Sequence, residues 1–130
     1  MPIYHHKSKL KSEDISSEII KYWDSKENCQ YVSELNINNQ RADIFLTCET
    51  GNVAVEVKSY APTLSDVSQV SGFAVESSKN YNRETIAVIV FPNEKVSEDV
   101  QKFADERNVK LYPTKDIKKL KEKIDSDFNF

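Results

Sequence analysis

Apolar residues recur along the chain with two periods, and the switches between them mark the elements. Ser12 followed by Glu13 and Asp14 opens like a capped helix, and Ile15, Ile19, Tyr22 and Trp23 then fall at helical spacing, which predicts a helix over about 12–25. Tyr31 to Ile37 alternates apolar and polar as a strand does, Asn38-Asn39-Gln40 supplies turn chemistry, and Arg41 to Thr47 is a second strand. The stretch from Cys48 to Asn52 holds one of only two glycines, and Val53 to Lys58 resumes as a third strand, a hairpin signal. Thr63 and Ser65 offer capping hydroxyls to a helix running to about Ser78, with Leu64, Val67, Val70 and Ala74 on one face. Glu84 to Phe91 is a near-continuous apolar run closed by Pro92, as expected of a strand buried on both sheet faces. Ser97 caps a further helix carrying Val100, Phe103 and Ala104, Val109 to Tyr112 makes a short strand, and Pro113-Thr114 starts a last helix reaching about 125. The order αβββαβαβα predicts an α/β fold with a mixed central sheet flanked by helices.

Size and composition narrow this picture. The 130 residues fit one domain spanning 1–130, large enough to bury roughly two-thirds of the unfolded surface, with no repeat or linker dividing it. The net charge of −3 offers no global attraction for a polyanion. Lysines do gather locally, at 7, 9 and 11 and again at 115, 118, 119, 121 and 123, and read as a frayed basic terminus and a solvated helix face. Cys29 and Cys48 are too few for a Cys-rich zinc site or an iron–sulfur cluster and read as two buried thiols. No apolar run reaches the roughly 18 residues of a membrane span, and the N-terminus lacks a signal-peptide stretch, so a cytoplasmic location without membrane contact is expected.

Candidate chemistry sits in the second hairpin. If the chain turns about residues 49 and 50, residue 44 faces 55 and residue 43 faces 56, and the aliphatic rows of both strands share one face. Asp43 and Glu56 then become cross-strand neighbours on the other face. Two carboxylates with Cβ atoms roughly 4.5–5.5 Å apart repel unless a cation bridges them or one binds a proton. A hard divalent ion, Mg²⁺ or Mn²⁺, relieves that conflict. Lys58 follows on the same face, where an ammonium meets a phosphate. The triplet acid-x-Lys occurs three times, at Asp24, Glu56 and Asp116, but only Glu56-Val57-Lys58 ends an apolar strand with a carboxylate set opposite.

With these residues the chain resembles the PD-(D/E)XK, or restriction-endonuclease-like, nuclease superfamily over about residues 12–112. The αβββαβ core matches, Asp43 with Glu56-x-Lys58 looks like the family motif, and Ala42 stands where the family name has Pro. The resemblance implies Asp43 and Glu56 as metal ligands and Lys58 as a catalytic cation. Many members add an acid from the N-terminal helix, for which Glu18 fits and Asp14 is the substitute. Many also place a Gln early in the next helix, and Gln69 with Phe73 looks like the Gln-x-x-x-Tyr element of the RecB-like branch with Phe replacing Tyr. The size is near that of the Holliday-junction resolvases, without their basic charge, and the cysteine cluster of the Cas4-like branch is absent.

The function expected is a Mg²⁺- or Mn²⁺-dependent DNA endonuclease acting in repair, recombination, restriction or mobile-element biology, with DNA as partner and a homodimer plausible for cutting both strands. The alternative is a non-catalytic nuclease-fold subunit that binds nucleic acid or serves assembly. Tyr60 and Tyr81 are candidates to stack on bases.

Overall fold

The computed structural model describes residues 21, 29–37, 40–49, 51–92, 94–114, 122 and 126. In chain order these form β1 (Cys29–Ile37), β2 (Gln40–Cys48), β3 (Gly51–Val57), α1 (Leu64–Tyr81), β4 (Thr85–Pro92), α2 (Glu98–Glu106) and β5 (Val109–Thr114). Lys21 and Glu122 are helical, within the first and last helices expected from the periodicity; the rest of both, with Asp14 and Glu18, lies outside the described residues.

The strands form one five-stranded sheet among the described residues, in the order β1-β2-β3-β4-β5. The two hairpins pair antiparallel, while β3–β4 and β4–β5 pair parallel, so the sheet is mixed. Each parallel step needs a crossover, and α1 and α2 supply them. Two right-handed crossovers stepping in the same direction leave both helices on one face. Val67, Val70, Phe73 and Ala74 of α1 and Val100 and Ala104 of α2 accordingly share one core cluster with Phe45, Ala54, Ala87, Ile89 and Phe91. Ile44, Leu46, Val53, Val55, Val57, Val88, Val90 and Tyr112 form a second buried cluster on the opposite face. The apolar run of β4 is therefore buried on both sides, as its continuity predicts, and Val90 and Phe91 are both fully enclosed.

Local chemistry explains the element boundaries. Thr63 and Asp66 close a capping box on α1, the Thr63 hydroxyl accepting from the Asp66 N–H at 3.2 Å and the Asp66 carboxylate accepting from the Thr63 N–H at 2.9 Å. Asn82 ends the helix in the left-handed conformation that Asn tolerates. Ser97 caps α2 by accepting from the Val100 N–H. At the β2–β3 turn the Arg83 guanidinium donates to the carbonyls of Cys48 and Glu49, tying the hairpin to the start of β4.

Three sequence expectations need correction. Pro113 and Thr114 do not open a helix; they continue β5, opposite Phe91 and Pro92. Only β4 flanks this strand among the described residues, so the missing proline N–H interrupts no second ladder. Cys29 and Cys48 are not thiols but a disulfide, because the register of the first hairpin sets them directly opposite, with Cα atoms 4.0 Å apart. Ala42, which simple alternation puts with Ile44, instead packs with Ile37 and Phe45. There the β1–β2 ribbon extends beyond its pairing with β3, and two-stranded ribbons twist more strongly than sheets.

Candidate active site

The register of the second hairpin sets the site. The β2–β3 ladder runs from Cys48 opposite Gly51 to Ile44 opposite Val55, and its next step sets Asp43 across from Glu56. At that step the Asp43 side chain enters the ladder: its carboxylate accepts from the Val57 N–H at 2.9 Å. Beyond Val57 the chain stays attached to β4, the Lys58 N–H donating to the Val90 carbonyl at 2.9 Å. The site thus forms where β2 and β3 part, at the C-terminal end of β3 and beside the first turn of α1.

Alternation then directs Glu56 and Lys58 to the face that α1 covers. The Lys58 ammonium lies 3.5 Å from Glu56 and 3.4 Å from Asp66, with the three side chains 18%, 15% and 10% exposed respectively. It also stands 5.9 Å from the centre of the Tyr60 ring. The loop between β3 and α1 is held from the other side, where the Glu94 carboxylate accepts from the Ala61 N–H at 2.8 Å.

Electrostatics reflect this crowding. Burial, and then the negative charge of Asp43, push the Glu56 carboxyl up from 4.5 to about 7, and a hydrogen bond between the two carboxyls adds to the effect. Lys58 pulls the other way and is outweighed. Burial alone would lower the Lys58 ammonium, but Glu56 and then Asp66 raise it above the ordinary lysine value.

At the level of sequence, no family model and no curated protein matches the chain. Solved structures do. A repair endonuclease from Pyrococcus abyssi superposes with a TM-score of 0.63 at 17% identity, over 88% of this chain and 49% of that one. EndoMS in complex with double-stranded DNA gives 0.62 at 12% identity, over 88% and 48%, and apo EndoMS gives 0.62 at 10%, over 81% and 46%. The fold shared with these structures is restriction-endonuclease-like. This chain spans about half the length of each of these neighbours.

Within this nuclease fold the structure brings Asp43, Glu56 and Lys58 together. It does not bring Gln69 to them: that side chain is exposed on α1, one turn after Asp66, with no hydrogen bond or ion pair to the three. Phe73, further along α1 than Asp66, is fully buried and packs edge-on against Phe45 at 5.8 Å. Tyr81 lies at the far end of α1, against Phe45, while Tyr60 is exposed beside Lys58. Glu18 lies outside the described residues, and among those described no group of three or more His, Cys, Asp or Glu converges as for a metal. Asp66 is the member of the site that sequence reasoning missed. Its only signal was the T-x-x-D box from Thr63, which marks a helix start and says nothing of Lys58.

Proposed function

We propose that this chain is the catalytic domain of a metal-dependent DNA endonuclease that hydrolyses phosphodiester bonds. The observation that carries the reading is geometric: Asp43 and Glu56 meet across the end of the β2–β3 ladder, with the Lys58 ammonium 3.5 Å from Glu56. The donor set fits a hard divalent cation such as Mg²⁺ or Mn²⁺, because two carboxylate groups crowded enough to hold a proton are short of positive charge. Asp43 and Glu56 would hold it, with Glu18 as a further candidate ligand. Bound there, the ion supplies Lewis-acid polarisation of the phosphoryl group and an acidified water.

The chain's own residues account for the rest. Asp43 is oriented by the Val57 N–H, which donates to its carboxylate at 2.9 Å. Glu56, whose carboxyl is pushed up by burial and by the charge of Asp43, would supply a ligand oxygen to the ion. Lys58, kept cationic by its carboxylate neighbours, stabilises the negative charge that develops on the phosphorane-like transition state. Gln69 is accessible on α1 to the DNA backbone. The endonuclease and DNA-complex identities of the structural neighbours support the same substrate class. Cutting both strands calls for a second copy, so a homodimer belongs to this proposal.

A second reading, a nuclease-fold subunit that binds nucleic acid without cutting it, is favoured because no group of three or more possible metal ligands converges among the described residues. Cleavage of linear, branched and single-stranded DNA with and without Mg²⁺ separates the two. Wild-type protein cleaves at least one substrate, and Lys58→Ala lowers the rate by about 100-fold or more. Retention of cleavage by both Asp43→Ala and Lys58→Ala removes the assignment.

A further inference from the structure

A lysine that serves a transition state has to be held in place, since its four-carbon stem is flexible and its ammonium is readily drawn into water. Lys58 has two carboxylate neighbours at nearly equal distance, Glu56 at 3.5 Å and Asp66 at 3.4 Å. They are not equivalent. Glu56 sits on the same strand, beside Asp43, and its charge is the one a bound cation would engage. Once so engaged, Glu56 attracts Lys58 less.

Asp66 comes from a different element and has no such second duty. It is buried, 8% exposed, and its orientation is set by the helix rather than by Lys58. One carboxylate oxygen, Oδ2, accepts from the Thr63 N–H at 2.9 Å, and the Asp66 N–H in turn donates to the Thr63 hydroxyl at 3.2 Å. The other oxygen, Oδ1, faces Lys58. The capping box of α1 therefore aims a fixed negative charge at the ammonium, with Tyr60 on a further side of it. We infer that Asp66 is the positioning residue for Lys58, linking the first turn of α1 to the cation that faces the scissile phosphate.

This rests on the nuclease reading for its catalytic consequence but not for its structural one, and the test separates them. Asp66→Asn keeps an oxygen able to accept the Thr63 N–H while the negative charge facing Lys58 is lost; Thr63→Ala removes the hydroxyl half of the cap and leaves that charge. Two readouts are taken on the full chain: kcat and KM for Mg²⁺-dependent cleavage of DNA, and the rate at which an amine-acylating reagent labels Lys58, followed by mass spectrometry. In Asp66→Asn, kcat falls about 10- to 100-fold with KM unchanged, as for a displaced catalytic group, and Lys58 labels several-fold faster. Asp66→Glu, which restores the carboxylate, recovers part of both. Thr63→Ala lowers the melting temperature but leaves kcat and labelling at wild-type values. Wild-type labelling of Lys58 in Asp66→Asn overturns the inference, and so does a Thr63→Ala variant that matches Asp66→Asn in both readouts, since a lost cap would then explain everything. If wild-type protein cleaves no DNA, the nuclease reading fails while the labelling comparison still decides whether Asp66 holds Lys58.

Discussion

Replacing Glu56 with Gln in the metal-free protein should stabilise it, against the usual result of altering a buried polar residue. Gln resembles the protonated carboxyl that the folded state prefers. In the unfolded chain Glu56 ionises near 4.5 and in the fold near 7, so the wild type loses stability relative to the variant as pH rises between those values and the difference is constant above. At about 1.4 kcal/mol for each tenfold change in proton affinity the full difference approaches about 3 kcal/mol, and solvent screening at this partly exposed site reduces it to roughly 2 kcal/mol. For a chain of this length that is a rise in melting temperature of about 5–10 °C at pH 8, shrinking to nothing near pH 4. Thermal melts in EDTA from pH 4 to pH 8 measure it. Millimolar Mg²⁺ or Mn²⁺ should then raise the wild-type melting temperature at pH 8 and raise that of Glu56→Gln less, because a ligand bound only by the native state adds stability in proportion to its affinity. A variant that melts at or below the wild type at pH 8, or a gap that does not change with pH, would refute the claim that Asp43 and burial together strain Glu56.

Two stability predictions concern the frame around the site. The disulfide closes a loop with a sequence separation of 19, so the double variant Cys29→Ser, Cys48→Ser should lose about 3 kcal/mol in denaturant unfolding, and the native protein should show no free thiol to an aromatic disulfide reagent. Phe73→Ala, which empties a fully buried site between α1 and Phe45, should cost roughly 3–5 kcal/mol by the same measurement; a loss under about 1 kcal/mol would mean that α1 does not seat on the sheet through this ring.

Much of the hairpin site was legible before any coordinates because strand geometry has an exact period of two. Once burial demands that the aliphatic rows share a face, the turn at 49 and 50 sets Ile44 opposite Val55, and Asp43 and Glu56 follow without further information. The same arithmetic, applied to the turn at 38 and 39, would have set Cys29 against Cys48; counting cysteines for metal sites obscured a pairing that the register of β1 and β2 makes direct. Pro113 misled because proline is a good first residue for a helix and also a tolerable one in a strand paired on one side, and only the neighbouring β4 decides between them.

Local periods and caps thus determined the elements, the face on which Asp43, Glu56 and Lys58 lie, and the conflict between the two acids, since all of these depend on residues within one hairpin. Tertiary structure alone decided that the first turn of α1 lands beside Lys58, that Glu94 reaches back to the β3–α1 loop, and that Gln69 lies exposed on α1 without a bond to the site. Those contacts join elements whose relative placement follows from the handedness of a crossover and the packing of Val67, Val70 and Phe73 on the sheet. No short-range pattern encodes that distance, which is why the capping hydroxyl of Thr63 was legible while Asp66, the partner of the lysine, was not.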